Sequence, residues 1–361
     1  MSSASVERQA FVDIARGLSI CLVVVMHATL GVGKAMDGAG FMHTLVDFAT
    51  PFRIPAFFVV AGLFAGASLA APWPRFFDGK VLHFVYFYVL WAAIQIALKD
   101  FAGEGFDGAA ILREAALALV EPYGALWFIY LLPIFFVVAR LTRAIDPRFM
   151  LPLAASLNVV DLHTGWTVID QFAERFVYFY AGCVLAPAFF HLASLAARAP
   201  RSAVAALAIW CVAQAAATGA EEGREMAALF GAPLALGFAG AAALIVFARL
   251  VDSSLAGQAF AALGQRSLVV YLAFFLPMAA TRILLVRADV IEDVGLVSLI
   301  VSIAAIVGPL VLERAVARTP LRFLFVRPRA ISVSPSGAHG PAPSMSPVVD
   351  KGKAARVARL S

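Results

Sequence analysis

Charge is what this chain has least of: Asp, Glu, Lys and Arg make up only 14% of its 361 residues, against 62% hydrophobic ones. Mean hydropathy is +0.89. A soluble domain carries about a quarter charged residues, so a water-soluble globular fold is excluded and a polytopic membrane protein is indicated. Short strands of alternating polarity are also missing. Apolar residues come instead in long unbroken runs of Leu, Ala, Val and Phe, which excludes a closed β-barrel and leaves helices. Cysteine is scarce, and Cys21, Cys183 and Cys211 each lie inside an apolar run, so neither a disulfide framework nor a metal site is implied. No fixed-period repeat is visible.

Against that background one stretch stands out. The run from Phe11 to Val32 is long enough to cross a bilayer yet carries Asp13, Arg16 and His27. At about 100° per residue, the step from Arg16 to His27 returns to within about 20° of the same helix face, roughly 16 Å further along. Asp13 lies on that face one turn before Arg16. Such a stripe must face protein or water, because ionisable groups in hydrocarbon are costly. The run is flanked by Arg8 and Arg16 and lacks a small-residue cleavage site before a soluble segment, so it reads as a retained helix, not a signal peptide.

Runs and their punctuation predict an all-α membrane helix bundle of about ten transmembrane helices: 11 to 32, 48 to 70, 81 to 98, 124 to 142, 149 to 162, 175 to 193, 203 to 218, 228 to 250, 266 to 287 and 294 to 316. The fifth and seventh are short for a full crossing. The stretch 109 to 120 is placed as an interfacial or re-entrant helix. Arg75, Lys80, Arg140, Arg143, Arg148, Arg198, Arg201, Arg249 and Arg266 fall on alternate connections, and acids such as Asp161, Glu174, Glu221 and Asp293 on the others. Basic residues decide orientation, so both termini are expected to be cytoplasmic. Residues 1–326 form the transmembrane domain. Residues 327–361, rich in Pro, Ser, Gly and Ala with Lys351, Lys353, Arg356 and Arg359, read as a disordered basic tail beside anionic membrane lipids. No nucleic-acid partner is expected.

Several residues admit two readings. His27 is either a packing histidine or a general base, since imidazole titrates near neutrality. Asp13 and Arg16, three apart, are an ion pair at the helix start, a phosphate-binding site, or both in competition. Arg53, between Pro51 and Pro55, either lines a cavity at a kinked helix start or snorkels to the interface. Lys80 and His83 open the third helix, where inside-positive punctuation would account for them. Trp127 and Tyr271 line a cavity or simply pack.

Asp13-Ile14-Ala15-Arg16-Gly17 followed by His27 resembles the opening signature of the acyltransferase-3 family of integral membrane O-acyltransferases. The resemblance continues through Phe57 to Gly62, the basic start of the third helix, Leu126-Trp127-Phe128, and Leu263-Gly264, Ser267 and Tyr271, covering residues 8 to 316. It implies transfer of an acyl group, often acetyl or succinyl, from cytoplasmic acyl-CoA as donor co-substrate, with no bound cofactor and no metal. The acceptor would be a hydroxyl of an envelope saccharide, a glycolipid or an exported small molecule, and the setting a bacterial inner (plasma) membrane. The residue matching His27 is the expected catalytic one, and that matching Arg16 is expected to be essential. The chain departs from the family pattern in three places. Lys80 and His83 stand where many members have two arginines, Ala61 replaces a serine, and Phe274 and Phe275 lie near where a histidine often follows the tyrosine.

The mechanism expected from residues and resemblance together places the CoA phosphates on Arg16 and Lys80. His27 takes the acceptor proton, Asp13 pairs with Arg16, and Arg53, His83, Trp127 and Tyr271 contribute to substrate binding. The rival from another class is a transporter or exporter that uses the Asp13/Arg16/His27 stripe as a proton or anion path. A catalytically inactive scaffold is a further alternative.

Overall fold

The computed structural model describes residues 10–101, 108–219 and 221–333. Most of the tail, including Lys351, Lys353, Arg356 and Arg359, lies outside the described residues, as does Arg8. In chain order the helices are α1 (Ala10–Met36), α2 (Phe41–Ala49), α3 (Arg53–Leu63), α4 (Ala65–Ala70), α5 (Trp73–Phe76), α6 (His83–Phe101), α7 (Gly108–Leu117), α8 (Trp127–Leu141) and α9 (Pro147–Val160). They continue as α10 (Thr167–Val184), α11 (Ala186–Arg198), α12 (Pro200–Gly219), α13 (Glu221–Ala227), α14 (Ala232–Leu250), α15 (Leu255–Gln265), α16 (Ser267–Ala273), α17 (Phe275–Ala288) and α18 (Val294–Val316). A π-helical run, Phe77–Leu82, joins α5 to α6. No strand occurs among the described residues.

Six helices are long and apolar enough to cross a membrane, and nine spans result if each of three bent pairs is one crossing. This measure leaves one of the ten expected spans unconfirmed. The difference is α9, where a span over 149 to 162 was expected: its 14 residues give about 21 Å of helix, short of a hydrocarbon core of about 30 Å. The second expected span, 48 to 70, is likewise not one helix. The chain breaks between α2 and α3 with a 50° bend, beside Pro51. The span over 266 to 287 bends by 50° between α16 and α17, with Phe274 at the break, and α10 and α11 meet at 71°. Discontinuous helices free backbone groups, which is tolerated at membrane depth only against protein or a cavity. The α7 helix, expected as interfacial or re-entrant over 109 to 120, buries none of its residues.

Within a bilayer, helices associate by close packing more than by hydrophobic burial, and small residues permit it. Two glycine crossings set the frame of the site. A Cβ on Gly264 would fall 1.8 Å from the Asp13 carbonyl oxygen, and one on Gly17 2.0 Å from that of Phe260, so α1 and α15 touch backbone to backbone. Likewise a Cβ on Gly62 would meet the Phe179 carbonyl at 2.3 Å and one on Gly182 that of Val59 at 2.2 Å, which clamps α3 to α10. Aromatic side chains fill the volume between these pairs: Phe58, Phe135, Phe176 and Phe179 are fully buried.

The segment after α18 folds back over the π-helical run. The Asp78 carboxylate, 1% exposed, meets the Arg327 guanidinium at 2.7 Å and accepts from the Val333 amide at 2.8 Å. Trp91 and Tyr86 on α6 donate to the carbonyls of Leu324 and Phe323, each at 2.9 Å. Residues 327–333, at the head of the segment expected to be a tail, are thus tied to the element that carries Lys80.

Candidate functional site

The stripe on α1 opens into two neighbouring chambers. Arg16, Lys80 and His83 line the first, of about 290 Å³, together with Ala61, Gln265 and Ser267. His27, Arg53, Trp127 and Arg175 line the second, of about 300 Å³. Three aromatic residues, Phe57, Phe128 and Tyr271, belong to the walls of both. The Phe57 and Phe128 rings stack with centroids 4.4 Å apart and planes within 5°, and Tyr271 packs against Phe128 at 5.6 Å. These rings form a septum, and α1 runs past it. Tyr271 is held in place by its hydroxyl, which donates to the Ala125 carbonyl just before α8.

In the first chamber Arg16 Nη1 lies 3.6 Å from Asp13 Oδ1. Asp13 itself is buried and lines neither chamber. Its second oxygen accepts from Gln265 Nε2 at 3.3 Å, so the α1 and α15 crossing also ties the carboxylate down. Asp13 therefore orients Arg16. The Lys80 ammonium sits 4.8 Å above the Phe136 ring, and His83 meets Phe87 edge-on at 5.1 Å. Ala61, where the family pattern has serine, offers this chamber a methyl in place of a hydroxyl.

In the second chamber His27 faces Phe274, with ring centroids 5.3 Å apart and a tilt of 35°. Among the described residues the imidazole has no hydrogen-bond partner, and the Phe274 ring is its aromatic packing neighbour. Arg53 Nη1 donates to Thr50 Oγ1 at 2.7 Å and weakly to the Val46 carbonyl at 3.4 Å, and Arg53 Nε is buried without a partner. Beyond this chamber lies a vestibule of about 600 Å³, which shares Arg53, Ile54 and Arg175 with it and adds Glu174, Asp161 and the highly exposed Phe230.

Arg175 did not stand out in the sequence. It opens the expected span 175 to 193 directly after Glu174 and so reads as a boundary charge. In the structure it lies in the middle of α10, its guanidinium 5.0 Å from the Trp127 ring centroid. It also pairs with Glu174 at 3.0 Å and donates through Nε to Gln171 at 2.5 Å. The signal was present in the run Phe-Ala-Glu-Arg-Phe-Val-Tyr-Phe-Tyr, where a cation is followed at once by apolar residues. Among the described residues no cluster of His, Cys, Asp and Glu could hold a metal ion.

The first helix of this helical membrane protein thus lends Arg16 to one charged chamber and His27 to a second, with Phe57, Phe128 and Tyr271 in the walls of both. The chain belongs to the acyltransferase-3 family: the family's acyltransferase domain matches residues 9–314. It is 22% identical to the inner membrane protein YcfT of Escherichia coli (strain K12) over 211 residues, which is 49% of this chain and 56% of that protein. The chain thus spans little more than half the length of this curated relative. No solved structure matches it.

Proposed function

We propose that the protein transfers an acyl group from acyl-CoA to a hydroxyl, with His27 as general base. One observation carries this reading: α1 presents Arg16 to one chamber and His27 to the next, with only the Phe57, Phe128 and Tyr271 septum between them. Arg16, held by Asp13, and Lys80 attract the phosphates of the donor, since a guanidinium and an ammonium both bind phosphate well. The first chamber has room for the pantetheine arm. The Phe57 and Phe128 rings must part for the thioester to pass.

At His27 an imidazole nitrogen takes the proton of the acceptor hydroxyl as its oxygen attacks the thioester carbonyl carbon. The tetrahedral intermediate collapses, the carbon to sulfur bond breaks, and the CoA sulfur takes up the proton from the imidazolium. The products are an ester and free CoA. The donor enters on the cytoplasmic side, where the basic connections lie, and the acceptor through the vestibule. This arrangement has both termini inside and α9 as a short tenth crossing. The name of the relative from Escherichia coli supports an inner-membrane location. The acyl group, acetyl or succinyl, goes to an envelope saccharide, a glycolipid or an exported small molecule.

The test is incubation of the purified protein in nanodiscs with radiolabelled acetyl-CoA or succinyl-CoA and an envelope extract. Label entering an alkali-labile ester together with free CoA supports the reading. A chain of three cavities is also what a transport path requires. Uptake or export of a solute by vesicles without CoA, and no ester formation, would favour the transporter.

A further inference from the structure

The second chamber has an unusual charge. Among its lining residues Arg53 and Arg175 are cationic, and no carboxylate joins them. Glu174, the partner of Arg175, lines the vestibule but not the chamber. Arg53 donates only to neutral oxygens and keeps a buried Nε unmatched, its countercharge Asp47 acting through space without a hydrogen bond to it. Two cations sharing a chamber of low dielectric repel one another, and the cost falls when an anion sits between them. A guanidinium is suited to this, because its fork of donors matches a carboxylate or phosphate in two parallel hydrogen bonds. Both arginines also line the vestibule, so they stand at the neck that leads to His27. Whatever reacts at His27 comes to rest beside them.

We propose that Arg53 and Arg175 form an anion site in the His27 chamber, so that one of the two reactants carries a carboxylate or phosphate that they hold while its neighbouring group reacts. The claim rests on the acyl-transfer reading and sharpens it. A negative group has two sources, the distal carboxylate of a dicarboxylic acyl donor or an acidic substituent of the acceptor. Trp127, stacked beneath Arg175, is a built-in reporter of occupancy.

The experiment begins with binding and needs no turnover. The full chain in nanodiscs is titrated with succinate and, as the neutral control, succinamide, while tryptophan emission is followed; the Trp127→Phe variant identifies the part of the signal that comes from the chamber. The expected result is a saturable change with succinate, none with succinamide, and affinity at least tenfold weaker in Arg53→Gln or Arg175→Gln. Equal signals from succinate and succinamide in the wild type would overturn the proposal without recourse to any variant. So would unchanged affinity in both folded arginine variants.

Turnover then separates the sources. In one arm succinyl-CoA is compared with acetyl-CoA. In the other, acetyl-CoA is offered with acidic and neutral fractions of the envelope extract, separated by anion exchange. A preference of about tenfold or more for the charged reactant in one arm, narrowed in the arginine variants, identifies which reactant carries the group. Turnover with no charge preference in either arm overturns the assignment. If anion binding is present but no donor is ever consumed, the anion site stands and the acyl-transfer reading fails.

Discussion

The imidazole of His27 rests against the phenyl ring of Phe274, centroids 5.3 Å apart. Phe274 lies at the break between α16 and α17, near the place where the family pattern often has a histidine. With no polar partner for His27 among the described residues, the ring wall takes over the orienting role that a hydrogen bond plays elsewhere. Phe274→Leu is expected to lower kcat about tenfold through loss of that orientation, with KM for acyl-CoA within about twofold of wild type. Steady-state kinetics of the two proteins check it; a raised KM with unchanged kcat would show that Phe274 bears on the donor instead.

Asp13 lies off both chambers, yet it is tied to Arg16 at 3.6 Å and to Gln265 at 3.3 Å. Asp13→Asn removes the charge that orients the guanidinium. A charge-assisted contact is worth about 1.5–3 kcal/mol, so KM for acyl-CoA is expected to rise about tenfold or more. Arg16→Gln should raise it further, and Lys80→Gln should act in the same direction. Because phosphate attraction is screened by salt, the wild-type KM should also rise between low and physiological ionic strength.

The stack of Phe57 on Phe128 keeps the two chambers apart. Phe57→Leu keeps most of the volume and removes the flat ring, which limits the stability loss that an alanine would bring. Water should then reach the thioester more freely. The ratio of acyl-CoA hydrolysis to acceptor acylation is expected to rise several-fold, measured as CoA released against ester formed. An unchanged ratio would mean that the septum is not the barrier.

Gly264 sits where α15 touches α1. A methyl there would fall 1.8 Å from the Asp13 carbonyl, so the helices must separate. Gly264→Ala is expected to cost about 1–3 kcal/mol and to shift the melting midpoint downward in detergent. The Arg327 and Asp78 pair offers a second stability test at the far end of the chain. Arg327→Gln leaves a buried carboxylate without its cation, at a cost of about 3 kcal/mol, seen in the same melting assay.

Much of this was legible in the chain because charge in an apolar run is conspicuous. Asp13, Arg16 and His27 announce their stripe by spacing alone, and Pro51 with Pro55 marks the broken start of the second span. What spacing along one helix does not carry is the partition of that stripe. Arg16 and His27 fall in separate chambers because Phe57, Phe128 and Tyr271, from α3, α8 and α16, meet between them, and such a meeting depends on packing between distant segments. Arg175 escaped notice for a related reason. Its place beside Trp127 depends on how α10 packs against α3 and α8, including the close contact at Gly62, which spacing along one segment does not carry. Composition reaches its limit at the fifth expected span: residues 149 to 162 are apolar, but the 14 residues of α9 leave its crossing unconfirmed by length.

The most direct measurement is the rate of CoA release from acyl-CoA, in the presence of acceptor, by wild type and His27→Ala in nanodiscs, with matched melting curves to confirm that both are folded. General-base catalysis contributes about 100-fold to 10,000-fold. The expected result is a fall of at least that lower bound in kcat for His27→Ala, with KM for the donor little changed because Arg16 and Lys80 remain. A folded His27→Ala protein that turns over acyl-CoA within about threefold of wild type would contradict the assignment of the base.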